Sequence, residues 1–257
     1  MEAASAGSTR GARVARGLAM ASLVLAALAG AGEGLAGLGY RLQWWSAGSG
    51  IRIVSGSTVA ALLALALGLA ALLTGWFAAP RRTMLTACAG VIVAALFAAP
   101  PLYMWRQAAR VPAIHDISTD TENPPRFAAV LPLRQGAPNG LDYSAEVAQQ
   151  QKAAYPDIAP LTLAVPPTRA LDLAERAARS MGWDIVAVSA PDLRVEATAT
   201  TLLFGFKDDV AIRITPAAQG SRIDVRSVSR VGRSDVGANA ARIRAYLKAL
   251  HDLAGAA

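Results

Sequence analysis

The chain has 257 residues, 54% of them hydrophobic, and a formal net charge of +7. That length leaves room for one or two domains. The basic excess is unevenly placed: residues 1–105 hold seven Arg and two Glu with no Lys or Asp, whereas residues 106–257 hold 18 basic and 16 acidic residues. The first part reads as membrane and the second as a water-soluble domain near charge balance, without the clustered basic face that nucleic-acid binding needs. The single cysteine, Cys88, lies in an apolar stretch, so it can build neither a disulfide framework nor a thiolate metal site.

Three apolar stretches come first, at residues 17–38, 58–79 and 83–105. Each approaches the roughly 20 residues that cross a bilayer's hydrocarbon. Trp44, Trp45, Trp76, Tyr103 and Trp105 fall near their ends, where aromatic rings favour the headgroup interface. Only Pro80-Arg81-Arg82 joins the second stretch to the third, which forces an antiparallel hairpin. Arg10, Arg13, Arg16, Arg81 and Arg82 fall on one side, against Arg41, Arg52, Arg106 and Arg110 on the other. This bias puts the N-terminus inside and the C-terminal part outside. The alternative for the first stretch is a signal peptide cleaved near Ala27-Leu28-Ala29; apolar character continuing to Leu38 favours a retained helix, and both readings leave the soluble part outside. Glu33 is the sole acid within a span. Its position near the end of that span, among Gly30, Gly32, Gly34 and Gly37, predicts that it reaches the interface or has already left the bilayer.

Residues 111–160 are rich in Pro, Asp and Asn, with one short helix expected over Tyr143–Ala154. Anchors such as Ile114, Ile117, Phe127, Tyr155 and Ile158 argue for a shaped segment rather than a disordered linker. Leu161–Val165 then reads as a strand. Pro166–Met181 reads as an amphipathic helix with Leu171, Ala174, Ala178 and Met181 on one stripe and Gly182 as C-cap. Strands are expected at Trp183–Ser189, Leu193–Phe204, Asp209–Thr215 and Ser221–Val231. The turns between them are expected at Pro191-Asp192, Lys207-Asp208 and Gln219-Gly220. Ser234 or Asp235 caps a last helix with Val236, Ala240, Ile243, Leu247 and Leu250 inward. The predicted fold is therefore a three-helix transmembrane region (residues 1–110) plus an α+β domain (residues 111–257). That domain is an antiparallel sheet of β-α-β-β-β-β-α order with its helices on one face, of the helix-grip kind, and its other face open.

At these residues a family resemblance becomes specific. His115-Asp116-Ile117-Ser118-Thr119-Asp120, Asn123-Pro124-Pro125, Tyr155-Pro156-Asp157-Ile158, Met181-Gly182-Trp183, Asp208-Asp209 and Ile212-Arg213 lead to the strongest block, the run Ser221 to Gly232. Ser234-Asp235, Asn239 and Arg242-Ile243-Arg244 follow. Together they resemble the domain-of-unknown-function family 1499, over roughly residues 112–250. The resemblance implies membrane-anchored bacterial-envelope relatives and carries over no activity or catalytic residue.

Two constellations remain as candidate sites. Arg194, Glu196, Arg213, Arg222, Asp224, Arg226 and Arg230 alternate onto the face opposite the helices. They would form cross-strand salt bridges on a solvated face, or a docking surface for carboxylate or phosphate groups, with Arg213, Arg222, Asp224, Arg226 and Arg230 as its core. The alternative polar site gathers His115, Asp116, Asp120, Asp157, Asp208 and Asp209, in reach of acid/base chemistry or a cation. The plainer reading is Asp, Ser and Thr side chains bonding local backbone. The spacing carries no metal motif, and no cofactor is implied. The expected function is thus a non-catalytic binding or assembly module, anchored by several spans in the cytoplasmic (inner) membrane and displayed on its outer, periplasmic side. Its expected partners are the lipid bilayer and an envelope protein or lipid headgroup, with no nucleic acid. The alternatives are an envelope hydrolase centred on His115 and Asp120, and a structural subunit of a membrane complex.

Overall fold

The structure is a computed structural model that describes residues 2–77 and 79–255, with the side chains of residues 2–9 undescribed. The chain divides into two compact units, residues 1–106 and 107–257. In the first, α1 (Glu2–Arg41), α2 (Ala47–Gly75) and α3 (Arg81–Ala108) include three helical stretches long and apolar enough to cross a membrane. All begin or end outside the predicted apolar limits, because hydrogen-bonding continues where hydropathy stops. Ser46, for example, caps α2 by accepting from the Ser49 amide at 3.3 Å. Ala78, within the predicted second span, lies outside the described residues.

Small residues hold these helices together. On α1 the buried positions among the described residues include Ala15, Ala19, Ser22, Ala26, Ala29, Glu33 and Ala36, in alternating steps of four and three. They meet similar stripes on α2 and α3 in alanine layers: Ala19 with Ala71 and Ala87, Ala26 with Ala64 and Ala94, Ala29 with Ala61 and Ala98. Small side chains let backbones approach closely where lipid supplies no hydrophobic drive. Ser22 donates to the Ala64 carbonyl at 2.7 Å, and a methyl on Gly68 or Gly90 would strike its hydroxyl. The Gly-rich stretch stays helical to Arg41, and Glu33 sits on the packed seam at 9% exposure. Its Oε1 has no hydrogen-bond partner among the described residues.

The second unit is a mixed α+β layer. Among the described residues its strands are β1 (Asp116–Ser118), β2 (Leu161–Leu163), β3 (Asp184–Ser189), β4 (Arg194–Thr200), β5 (Lys207–Ala217) and β6 (Gly220–Ser229). The sheet order is β1-β6-β5-β4-β3, all antiparallel, with β2 also on β6. β1 pairs with residues 226–228 of β6 and β2 with residues 221–223. The two therefore form one edge strand in two pieces, interrupted by residues 119–160. Three-residue β1 is too short to show a period, and for that reason it escapes the sequence pattern.

Helices α5 (Pro167–Ser180) and α6 (Ala238–Gly255) cover one face. Period-2 alternation sends Val195 and Ala197, Val210, Ile212 and Ile214, and Ile223 and Val225 into that core. The core also holds Leu173, Ile243 and a Trp183–Tyr246 stack with centroids 5.1 Å apart. Gly182 ends α5 at φ +73°, where its own and the following amide reach back to the Arg179 and Ala178 carbonyls. Asp235 caps α6 by accepting from the Gly237 and Asn239 amides at 2.8 and 2.9 Å. Val236 falls outside α6, at φ +55°.

Two further expectations are corrected. Lys207 and Asp208 are the first residues of β5 rather than a turn. The β4–β5 reversal occupies residues 201–206, with Gly205 at φ +70° and the Thr201 hydroxyl accepting from the Phe206 amide at 2.9 Å. Its apolar composition disguised a turn as strand. The sheet's second face is also not open: residues 119–142 cross it as a strap, with Phe127, Val130 and Leu141 packed on Ala211, Val228 and Val186.

Candidate functional site

Under that strap the strands present their second set of alternating side chains. Glu196 of β4 is 1% exposed. Its carboxylate accepts from the Ala128 amide at 3.0 and 3.1 Å and from Val130 at 3.0 Å, and pairs with Arg194 at 2.9 Å. Asp209 of β5 is fully buried between Arg134 of the strap at 2.6 Å and Arg230 at 2.7 Å, with the Thr198 hydroxyl at 2.8 Å. Arg230 also donates to the Leu133 carbonyl at 2.7 Å. Burial alone would raise the Asp209 carboxyl, but the bonds from Arg230, Thr198 and Arg134 outweigh it and hold the group below the ordinary carboxylate range.

Arg226, 4% exposed, makes a separate buried ion pair under the strap. It forks onto Asp116 of β1 at 2.6 and 3.0 Å, donates to the Leu141 carbonyl at 2.6 Å, and lies over the rings of Phe127 and Tyr143 at 5.3 and 5.5 Å. A guanidinium is planar, weakly hydrated and rich in donors, and so tolerates such a site. Nearer the β5–β6 turn, Arg213 bridges Asp120 at 2.9 Å and Asp224 at 3.0 Å, and donates to the Asn123 carbonyl. Arg222 joins the same acids at 3.4 and 3.1 Å. Burial again opposes, yet the Asn123 and Glu122 amides and Arg213 lower the Asp120 carboxyl. This cluster reaches water: the Arg222 side chain is 44% exposed and Arg213 22%, against 5% for Arg226.

The docking constellation read from the sequence is thus brought together, but as a set of ion pairs closed by the chain's own strap. The solvated face expected for Arg226 and Asp224 is corrected, because a half-apolar strand surface carrying Ala211 and Val228 gains by being covered. The second constellation is dispersed. His115 Nδ1 lies 3.4 Å from the Arg233 carbonyl, Asp116 is held by Arg226, Asp120 by Arg213, and Asp209 by Arg134 and Arg230. Asp157 pairs with Arg244 and Asp208 with Arg242, both on α6. Among the described residues no three His, Cys, Asp or Glu side chains converge as metal ligands.

Three contributors carry no periodic signal. Arg134 lies in a short 3-10 turn (Leu131–Arg134). Gln151 of α4 (Ala145–Ala154) clamps Ser118 through both backbone groups, at 2.9 and 2.6 Å. Asn239 spans from the His115 carbonyl to Ser229 and Ser227, tying α6 to the sheet at 2.7–3.0 Å. Asn239 falls in the family-like block; Arg134 and Gln151 are marked only by lying in a Pro-rich segment too well anchored to be a linker. In the first unit, Arg13, Arg16, Arg82, Thr83 and Thr86 are among the residues lining a cavity of about 470 Å³.

Long apolar helices in one chain with an α+β domain that carries internal ion pairs define a membrane protein carrying a folded polar domain. Residues 116–250 match the family described as a protein of unknown function, DUF1499. The match spans more than half of the chain, and the protein belongs to that family. No curated protein matches it.

Proposed function

We propose that the protein is a membrane-anchored binding or assembly module, held in the cytoplasmic membrane by α1–α3 and displaying its α+β domain on the outer side. The observation that carries this reading is the state of the charged side chains. The candidate carboxylates are engaged by arginines in ion pairs, and one cluster of them comes to the surface at Arg222 and Arg213. Such a rim, preorganised and partly desolvated, suits recognition of a carboxylate or phosphate on an envelope partner. The orientation rests on the five-against-four arginine bias.

Impermeant-maleimide labelling tests the placement. In a Cys88→Ser background, a cysteine at exposed Gln219 should be labelled in intact cells. Protection relieved only by lysis would put the domain in the cytoplasm and overturn the display reading. A photo-crosslinker at residue 222 should capture a partner in native membranes, and Arg213→Ala should reduce that capture. Crosslinking unaffected by the substitution would remove the rim as the docking element.

A further inference from the structure

Between α1 and the start of α3 the helical unit holds a cavity lined by cations. Arg13 and Arg16 of α1 face it with Arg82, Thr83 and Thr86 of α3, and its volume is about 470 Å³. The only acids in residues 1–106 are Glu2 and Glu33. Both stand at least eleven residues from Arg13 and Arg16 along α1, which is about 16 Å of helix rise. In the α+β domain the buried arginines come with carboxylates, as Arg226 does with Asp116. Among the described residues no ion pair neutralises Arg13, Arg16 or Arg82.

The start of α3 adds donors. The Pro80 carbonyl takes the Thr83 and Met84 amides at 2.9 and 3.3 Å. The Arg81 and Arg82 amides precede any intrahelical acceptor and are left for one outside the helix, and the first turn carries no acid to supply it. Thr86 donates its hydroxyl to the Arg82 carbonyl at 3.0 Å. Thr83 is 7% exposed, and its hydroxyl makes no hydrogen bond among the described residues. A buried hydroxyl that lines a cavity beside three guanidiniums matches an anionic acceptor brought from outside the chain. Ala19 and Met20 complete the lining as an apolar wall, and Met20 is 51% exposed. On a spanning helix such an exposed apolar residue meets acyl chains.

We propose that this cavity binds the phosphate of one anionic phospholipid, held by Arg13, Arg16 and Arg82 and by the Thr83 hydroxyl, with the acyl chains along Met20. Basic pockets between transmembrane helices hold anionic headgroups in this way, and a guanidinium meets two phosphate oxygens at once. The occupant is a phospholipid rather than free phosphate, because only a lipid also covers the apolar wall. The site belongs to the helical unit alone and goes beyond the proposed function. Failure of the rim as a docking element, or of the outer display, leaves it intact.

The test is native mass spectrometry of the full chain, released from nanodiscs that mix phosphatidylglycerol and phosphatidylcholine of matched acyl chains. The expected spectrum retains one phosphatidylglycerol in preference to phosphatidylcholine by at least about tenfold, and Arg16→Gln and Arg82→Gln should each lower that preference about fivefold. Arg10→Gln removes a charge from the same end of α1 without touching the lining of the cavity, and should leave the preference unchanged. Thr83→Val keeps every charge and nearly the same shape, and should still weaken retention, which keeps the site testable if an arginine variant folds poorly. Equal retention of the two lipids would overturn the proposal. So would an equal loss in Arg10→Gln, which means net charge alone, or inorganic phosphate retained in place of lipid.

Discussion

The two faces of the sheet solve the same problem in opposite ways. On one, Val210, Ile212, Ile214, Ile223 and Val225 meet α5 and α6 in an apolar core. On the other, Glu196, Asp209, Asp224 and Arg226 are equally buried, yet the covering layer is a strap without strand or α-helix over residues 119–142, held by guanidinium–carboxylate pairs and backbone bonds. An apolar face tolerates any well-shaped apolar partner. A charged face is intolerant, because each ion removed from water needs its partner in place. The first face therefore specifies that the domain folds, and the second specifies which segment lies on it and in what register.

The sharpest way to break this comparison is to remove one partner of a buried pair. Asp209→Ala leaves Arg134 and Arg230 without their shared carboxylate and should cost about 3–5 kcal/mol, read as a shift in the urea midpoint of the nanodisc-embedded chain. Replacing both members of the other buried pair, as Asp116→Leu with Arg226→Met, should cost much less than Arg226→Ala alone, since no uncompensated charge remains. If the double variant is no better than the single, the charges do more than satisfy each other. On the apolar face Ile212→Val should cost about 0.5–1.5 kcal/mol. The solvent-exposed Arg179–Glu175 pair on α5 sets the floor: Glu175→Ala should change stability by no more than about 0.5 kcal/mol.

Acid should separate the faces as well. The Asp209 and Asp120 carboxyls are held below the unfolded value of about 3.9. A carboxyl depressed by folding adds stability that is complete above the unfolded value and is lost as pH falls through the folded one. Asp235 runs the other way. Burial raises it against the Asn239 and Gly237 amides, so its contribution declines as pH rises. Exposed Asp157 is lowered too, by its Arg244 partner; with three depressed carboxyls against one raised in the α+β domain, unfolding should ease as pH drops below about 4, and Asp209→Asn should flatten that dependence in melting curves recorded across pH.

Much of this was legible from residue order. Alternation marks β5 and β6 within a few residues, Gly182 marks the end of α5, and the apolar runs mark the spans. The charged residues of the second face were also found, since period-2 spacing fixes which way Arg226 or Glu196 points. Spacing says nothing about what lies beyond, so alternation alone leaves them facing water. The strap escaped because it bonds through backbone groups such as the Ala128 and Val130 amides and the Leu133 and Leu141 carbonyls, which every residue carries. The alanine seam of α1 was hidden for a related reason: in an Ala/Gly-rich span, small residues at steps of three and four occur everywhere, and packing alone selects among them.

The central claim is that the arginine–carboxylate network locks the strap onto the sheet. Amide hydrogen exchange of the full chain in nanodiscs tests it most directly. Ala128 and Val130, which donate to buried Glu196, should exchange slowly in the wild type. In Arg226→Ala the whole segment 119–142 should lose protection while α5 and β5 keep theirs. Strap amides exchanging at free-peptide rates in the wild type, or unaffected by Arg226→Ala, would contradict the account.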